Sequence, residues 1–344
     1  MNRGVKTAGV ALGVAAGVVG AGYAAQRALL RSLRHRPDPD AGRLRALPVE
    51  GSRHLPGHDG GSLYVVSTED TLGENEHPKI LFSHGVMIDS RVWMKQFQSL
   101  PRQGVECLAF DHRGHGQSVC GDTRPSLENL ATDLRTVIEG LDLRDLVVVG
   151  HSMGGVAVQA FLNQFPEVAR ERVRGIVLLS SLAKTQLSTS QHLKAIVEQV
   201  AGGLNIGGAV ARPNLGTMLT RLGFGRDVRA SHVELNRQML MECDPEIGRE
   251  GVNLLLGLDL TADVSNIKLP TLVISGTHDI LTPPKEARRL AQLIPDAELV
   301  MFERAGHMIM LERADEFDAL LLDFAREVGI LPAGSARAAG ATAG

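Results

Sequence analysis

Apolar residues along this chain fall into three kinds of stretch. One is an unbroken run from Ala8 to Ala25: seven Ala, five Gly, four Val, one Leu and one Tyr. A second kind is short and apolar at nearly every position: Ile80–His84, Val105–Asp111, Leu146–Gly150, Val173–Ser180, Thr271–Gly276 and Glu298–Phe302. Blocks of that length without alternation predict strands covered on both faces. Ser62–Ser67, after the turn at Asp59-Gly60-Gly61, adds one more strand. The third kind repeats at helical spacing, over Val92–Leu100, Leu127–Leu141, Val156–Phe165, Pro284–Leu293 and Glu312–Gly329. Strands and helices alternate, which predicts the α/β class: a mostly parallel central sheet with helices on both faces.

The alternation stops at residue 182 and resumes at 268. Between them lie helical patterns without a strand, broken by Gly202-Gly203 and Gly207-Gly208. The expected organisation is therefore one sheet domain, 51–181 and 268–330, carrying a helical insertion at 182–267. Residues 37–50, opening on Pro37-Asp-Pro-Asp40, are expected to be a linker. The Ala/Gly/Ser-rich tail, 331–344, is expected to be disordered.

Composition narrows the function classes. With 44% hydrophobic and 22% charged residues the chain is an ordinary globular one. Aromatics at 3% give little to stack bases on, and no nucleic-acid partner is expected. Residues 1–50 carry eight Lys/Arg against three Asp/Glu, and the rest 28 against 36, so a basic head precedes an acidic body. That head, 1–36, reads as a hydrophobic anchor or signal segment. Arg27, Arg31, Arg34 and Arg36 after the run outnumber Arg3 and Lys6 before it, which predicts membrane association through residues 8–25 with a cytoplasmic body. A cleaved export signal and a helix packed on the body are the alternatives. Cys107, Cys120 and Cys243 cannot all pair within one chain and show no zinc-ligand spacing, so no metal is expected.

Gly150-His-Ser-Met-Gly-Gly155 places Ser152 in a G-x-S-x-G pattern between a buried strand and a helix. That context suits a nucleophile elbow, a tight turn that holds the serine hydroxyl above the sheet. Asp279, in Gly276-Thr-His-Asp279, and His307, in Ala305-Gly306-His307, each follow a later strand. Both loops leave the carboxyl edge of the sheet, where α/β folds bind ligands. The chain order Ser, Asp, His is the order such an elbow requires. Ser83-His84-Gly85-Val86 follows an earlier strand, where a backbone N–H can complete an oxyanion hole. His151 and His278 adjoin these positions and read as packing residues. Asp111, Arg113 and His115 read as a hydrogen-bonded turn, and Trp93 as core. The dinucleotide, phosphate-loop and HExxH patterns are not found in the sequence, so no cofactor is expected.

With these motifs in order, and with Asp111-His-Arg-Gly-His-Gly-Gln-Ser118, the chain resembles the α/β-hydrolase superfamily from about residue 50 to 330. It looks most like lid-bearing bacterial serine esterases and monoacylglycerol-lipase-like hydrolases. The resemblance implies Ser152 as nucleophile, His307 as base and Asp279 as its partner. It implies the backbone N–H groups of Met153 and Val86 as the oxyanion hole, with Gly150, Gly154, His84 and Gly85 as support. In some relatives the acid follows the earlier strand; here Ser180-Ser181-Leu182 has no carboxylate, which favours Asp279. Relatives with an aspartate at the elbow, the epoxide hydrolases and haloalkane dehalogenases, are disfavoured by Ser152. Residues 182–267 then stand where a cap sits. Its aliphatic residues, among them Ile196, Val200, Met218, Leu219, Leu222, Leu240 and Leu254–Leu256, would pack the cap and roof an apolar cleft. The implied activity is cleavage of a small-molecule ester or lipid. Haloperoxidase or perhydrolase, C–C hydrolase and acyltransferase chemistry, or a non-catalytic membrane-attached module, are the alternatives.

Overall fold

The computed structural model describes residues 27, 31–33, 35–44, 46–73, 76–185 and 206–332. Eight strands form one sheet: β1 (Gly51–Pro56), β2 (Ser62–Ser67), β3 (Lys79–Ser83), β4 (Glu106–Phe110), β5 (Leu146–His151), β6 (Val173–Leu179), β7 (Thr271–Gly276) and β8 (Glu298–Phe302). Their order is β1-β2-β4-β3-β5-β6-β7-β8. The β1–β2 and β2–β4 pairs are antiparallel and every other neighbour pair is parallel.

The central strands are apolar throughout because both faces are covered. Ile80, Phe82, Val147, Val149, Val177, Leu179, Leu272 and Ile274 point to one core, with Trp93, Phe97, Phe317 and Leu321 over them. Their neighbours Leu81, Val148, Ile176, Leu178 and Val273 point to the other, under Leu134, Ile138, Val158, Phe161 and Leu290. Successive residues on a strand face opposite ways, so each strand feeds both cores. The first layer is supplied by α1 (Met94–Ser99) and α12 (Ala314–Glu327), the second by α2 (Leu127–Gly140), α3 (Met153–Gln164) and α10 (Pro284–Leu293). Trp93 is buried against Phe82, ring centroids 4.7 Å apart. The helix expected over Glu312–Gly329 is interrupted at Arg313, giving α11 (Ile309–Glu312) and α12.

Between β6 and β7, the described residues form α5 (Ile206–Ala211), α6 (Pro213–Arg221), α7 (Ala230–Glu242), α8 (Pro245–Leu256) and the single turn α9 (Thr261–Val264). The short α4 (Pro166–Arg172) precedes β6. Within the stretch expected as a linker, Asp40 is buried. It accepts from Lys95 at 2.7 Å, Arg229 at 2.5 Å and His232 at 2.8 Å. Asp38 accepts from the Ser231 amide and hydroxyl, 2.8 Å each.

The expected membrane-associated placement needs correction. Among the described residues no helix is long and apolar enough to cross a membrane. The run 8–25 lies outside the described residues, as do Ile196, Val200, Gly202-Gly203 and the tail from 333. The run's own composition also weighs against the expected placement: twelve of its eighteen residues are Ala or Gly and one is Leu, so it offers little of the Leu, Ile and Phe that drive insertion.

The Asp111–Ser118 turn is a hydrogen-bonded unit, as its glycine-spaced polar residues suggested. Arg113, 2% exposed, places Nε and Nη2 on the two Asp133 oxygens at 2.6 Å and Nη1 on Asp59 at 3.0 Å. Removing one partner of a buried pair strands the other charge. Asp133→Ala is therefore expected to cost about 3 kcal/mol, read as a lower urea midpoint at unchanged m-value.

Candidate active site

Ser152 sits between β5 and α3 with φ +54° and ψ −115°. A serine at that φ is strained, and the surroundings hold it there. Its amide donates to Leu179 O at 3.0 Å, and Ser181 Oγ donates to Ser152 O at 2.9 Å. The turn closes only with small flanking residues. A Cβ on Gly150 would come within 2.6 Å of Gly154 O, and one on Gly154 within 2.2 Å of Ser83 O. Helix α3 begins at Met153, so its amino end lies beside Ser152, where developing negative charge is favoured.

The structure brings Asp279 and His307 together from the loops after β7 and β8. His307 Nδ1 lies 2.8 Å from Asp279 Oδ2. Thr282 Oγ1 is 2.7 Å from that same oxygen and 3.2 Å from the ring nitrogen. The other oxygen, Oδ1, accepts the amides of Leu281 at 2.8 Å and Thr282 at 2.9 Å. Both residues are buried, at 3% and 6% exposure. Sequence reasoning did not single out Thr282. Its signal is the three-residue spacing from Asp279, which lets one carboxylate turn the backbone back on itself.

His151, expected to be a packing residue, packs on His307 itself. The two imidazole centroids are 4.6 Å apart, and His151 Nε2 is 3.1 Å from His307 O. Burial holds His151 well below the ordinary histidine range, so it is neutral and donates that bond. His278 points elsewhere and accepts from Arg226 Nε at 2.8 Å.

Two more neutral histidines brace the His84–Met87 loop. Burial pushes His84 and His115 each down to about 4. His84 Nδ1 donates to Gly85 O at 2.7 Å and its Nε2 accepts from the His112 amide at 2.9 Å. His115 Nε2 accepts from the Met87 amide at 3.2 Å. Val86 stands between these supports, facing a cavity that also meets Gly85, Ser152 and His307. Met153 is buried at the start of α3.

The cavity has a volume of about 290 Å³ and is mainly aliphatic, with Leu219, Leu222, Leu240, Leu255 and Leu281 in its walls. Among the described residues no group of three or more His, Cys, Asp and Glu side chains is arranged to hold a metal.

Glu312 was not expected to matter, and it joins two parts of the site. Its Oε1 accepts the Gly306 amide at 2.9 Å, next to His307, and its Oε2 the Gly225 amide at 2.6 Å. The two backbones touch: His307 N donates to Gly223 O at 2.8 Å, and a Cβ on Gly225 would fall 2.1 Å from Arg304 O. Burial pushes the Glu312 carboxyl up to about 7. A carboxyl whose pKa is higher in the folded chain than the ordinary 4.5 binds its proton more tightly there. Its contribution is thus most favourable below pH 4.5 and is lost as pH rises towards 7, by about 3 kcal/mol. In Glu312→Gln that part of the decline between pH 5 and 8 is expected to vanish, seen as a difference between the two Tm-against-pH curves. Curves that stay parallel would refute it.

Comparison with known proteins identifies the family and the fold. The sequence pattern of the family described as serine aminopeptidase, S33, matches residues 74–314. The chain is 29% identical over 254 residues to the non-heme chloroperoxidase CPO-A1 of Kitasatospora aureofaciens, covering 71% of this chain and 91% of that one. It is 26% identical over 270 residues to the bifunctional esterase/perhydrolase DCH of Acinetobacter calcoaceticus, covering 74% and 94%. The esterase EaEST from Exiguobacterium antarcticum shares the fold, with a TM-score of 0.69 at 20% identity over 80% of this chain and all of that one. The chain belongs to the serine aminopeptidase S33 family of the α/β-hydrolase superfamily.

Proposed function

We propose that this enzyme is a serine hydrolase that cleaves a small-molecule carboxylic ester with an apolar acyl chain through an acyl-Ser152 intermediate. One observation carries the reading. The strained Ser152 and the Asp279-bound His307 open onto a single, largely aliphatic cavity. In this reading His307 takes the Ser152 proton as the hydroxyl attacks the ester carbonyl, then gives it to the leaving alcohol. Asp279 fixes the proton-bearing nitrogen of the ring and stabilises its cation. The amides of Met153 and Val86 bind the oxyanion, one such donor being worth about 3 kcal/mol. Water then attacks the acyl-serine with His307 again as base. The insertion at 182–267 acts as a cap that dries the site and grips the acyl chain.

The names of two relatives favour a second reading, in which hydrogen peroxide replaces water as acceptor. Attack on the acyl-serine then yields a peracid, which oxidises halide outside the protein. The deciding experiment combines fluorophosphonate labelling, a chain-length series of simple esters, and bromination of a phenol indicator with acetate, peroxide and bromide. Labelling with ester turnover supports hydrolysis. Bromination outpacing ester cleavage supports the second reading. Labelling without either refutes both.

A further inference from the structure

Among the described residues, the walls of the aliphatic cavity carry two buried side-chain oxygens without a hydrogen-bond partner. Thr220 Oγ1, on α6, and Asn236 Oδ1, on α7, are buried and have no hydrogen-bond partner. Their residues are 3% and 7% exposed, and both line the cavity shared by Ser152 and His307. Of the other polar side chains around it, Thr185 and Thr282 are committed elsewhere, while His151 Nδ1 is a further buried atom without a partner among the described residues. Thr185 Oγ1 donates to Leu255 O at 2.5 Å, and Thr282 Oγ1 is held by Asp279. His151 uses Nε2 on His307 O; its Nδ1 lies against Gly85, where a Cβ would come within 3.0 Å.

The large majority of buried polar atoms in folded proteins are paired, and an unpaired one costs stability. Valine and leucine have nearly the shapes of threonine and asparagine, would suit aliphatic walls and would leave nothing unpaired. Two unpaired groups on adjacent helices, both lining one cavity, are what a site for a polar ligand group presents to it.

We infer that Thr220 and Asn236 form a polar subsite that takes a hydrogen-bond donor, a hydroxyl or an amide N–H, carried on the otherwise apolar substrate. The amide oxygen of Asn236 accepts from that donor. The Thr220 hydroxyl can accept as well, or donate back when the incoming group is a hydroxyl. This inference rests on the cavity being the site of ester cleavage, and it makes the substrate a functionalised acyl ester in place of a plain hydrocarbon one.

The test compares ethyl octanoate with ethyl hydroxyoctanoates bearing the hydroxyl on carbon 3, 6, 7 or 8, and with ethyl N-hexanoylglycinate for the N–H arm. With the full chain, at least one donor-bearing ester is expected to exceed ethyl octanoate in kcat/KM by about tenfold, the factor given by one ordinary hydrogen bond. In Asn236→Leu and Thr220→Val that ratio is expected to fall to about one. A ratio cancels any general loss of rate from imperfect folding. A ratio near one for every ester in the unaltered chain, or one that both variants leave intact, overturns the subsite.

A binding measurement separates this from failure of the esterase reading. Octane-1,2-diol is expected to raise Tm more than the donor-free 1-methoxyheptane, and the double variant is expected to lose that difference. A diol-specific shift lost in the double variant, with no ester cleaved, leaves the subsite standing and removes the esterase reading. Simple esters cleaved with neither the ratio nor the shift responding does the reverse. The double variant is also expected to melt higher than the unaltered chain, because it removes two unpaired buried groups.

Discussion

Ser152→Ala is expected to lower kcat for a simple ester by about a million-fold and to end fluorophosphonate labelling. The size follows from the division of labour. An alcohol is a weak nucleophile until a base takes its proton, so losing the hydroxyl removes the covalent route entirely. What survives is water attacking an ester held by the oxyanion amides, a residual of about 10³–10⁴ over solution. His307→Ala is expected to cost a similar amount, and the double variant no more than either alone, because the two act as one unit. Alanine keeps the Cβ that Ser152 already holds at φ +54°, so it adds no backbone strain. Stability should stay within about 0.5 kcal/mol. Turnover within a hundredfold of the unaltered enzyme, measured with an active-site titrant to exclude contamination, would remove Ser152 from the mechanism.

The parts of this enzyme that were legible in sequence are those fixed by local constraint. Ser62–Ser67, Thr271–Gly276, Pro284–Leu293 and Glu298–Phe302 occur with the limits read from the pattern. Strands covered on both faces have no polar side to blur the signal. β1 went unread because only Gly51 and Leu55 on it are buried, which is too little alternation to mark a strand. The elbow was legible because backbone approaches near 2.5 Å at Gly150 and Gly154 leave glycine no substitute.

Elements that act at a distance were not legible. Glu312 lies in a stretch that reads as one amphipathic helix, yet its carboxylate leaves the helix to hold Gly225, 87 positions earlier. Asp38 and Asp40 belong to a proline-broken segment with the composition of a linker. Their partners Ser231, Arg229 and His232 lie about 190 residues on, and Lys95 lies 55 on. Thr220 and Asn236 read as ordinary polar positions on helices, and only the cavity reveals that they face inward. Residues 8–25 read as an apolar run, and that run lies outside the described residues.

Asp279→Asn is expected to lower kcat by about 10⁴-fold with little change in KM, and the cause lies in which way the new amide must turn. The carboxylate accepts through both oxygens: Oδ1 from the amides of Leu281 and Thr282, Oδ2 from His307 Nδ1 and the Thr282 hydroxyl. An asparagine has one oxygen to divide between these sides. Turning its NH₂ towards the two backbone amides would set donors against donors at two buried bonds. Keeping the oxygen there places NH₂ against His307 Nδ1. The ring must then carry its proton on Nε2, the nitrogen that has to receive the Ser152 proton. The geometry survives and the base is lost, so substrate binding should hold while chemistry fails. The Thr282 hydroxyl, turned to donate to Ser180 O 3.0 Å away, could accept from Nδ1 at 3.2 Å, but as a neutral group it cannot stabilise the ring's cation as the carboxylate does. Asp279→Ala should differ in kind. It leaves the Leu281 and Thr282 amides without an acceptor and lowers Tm as well as kcat. A 10⁴-fold drop in kcat at steady KM and Tm for Asn, with Tm lost only for Ala, is the expected pair of results. Equal activity in Asp279→Asn and the unaltered enzyme would show that another group orients His307.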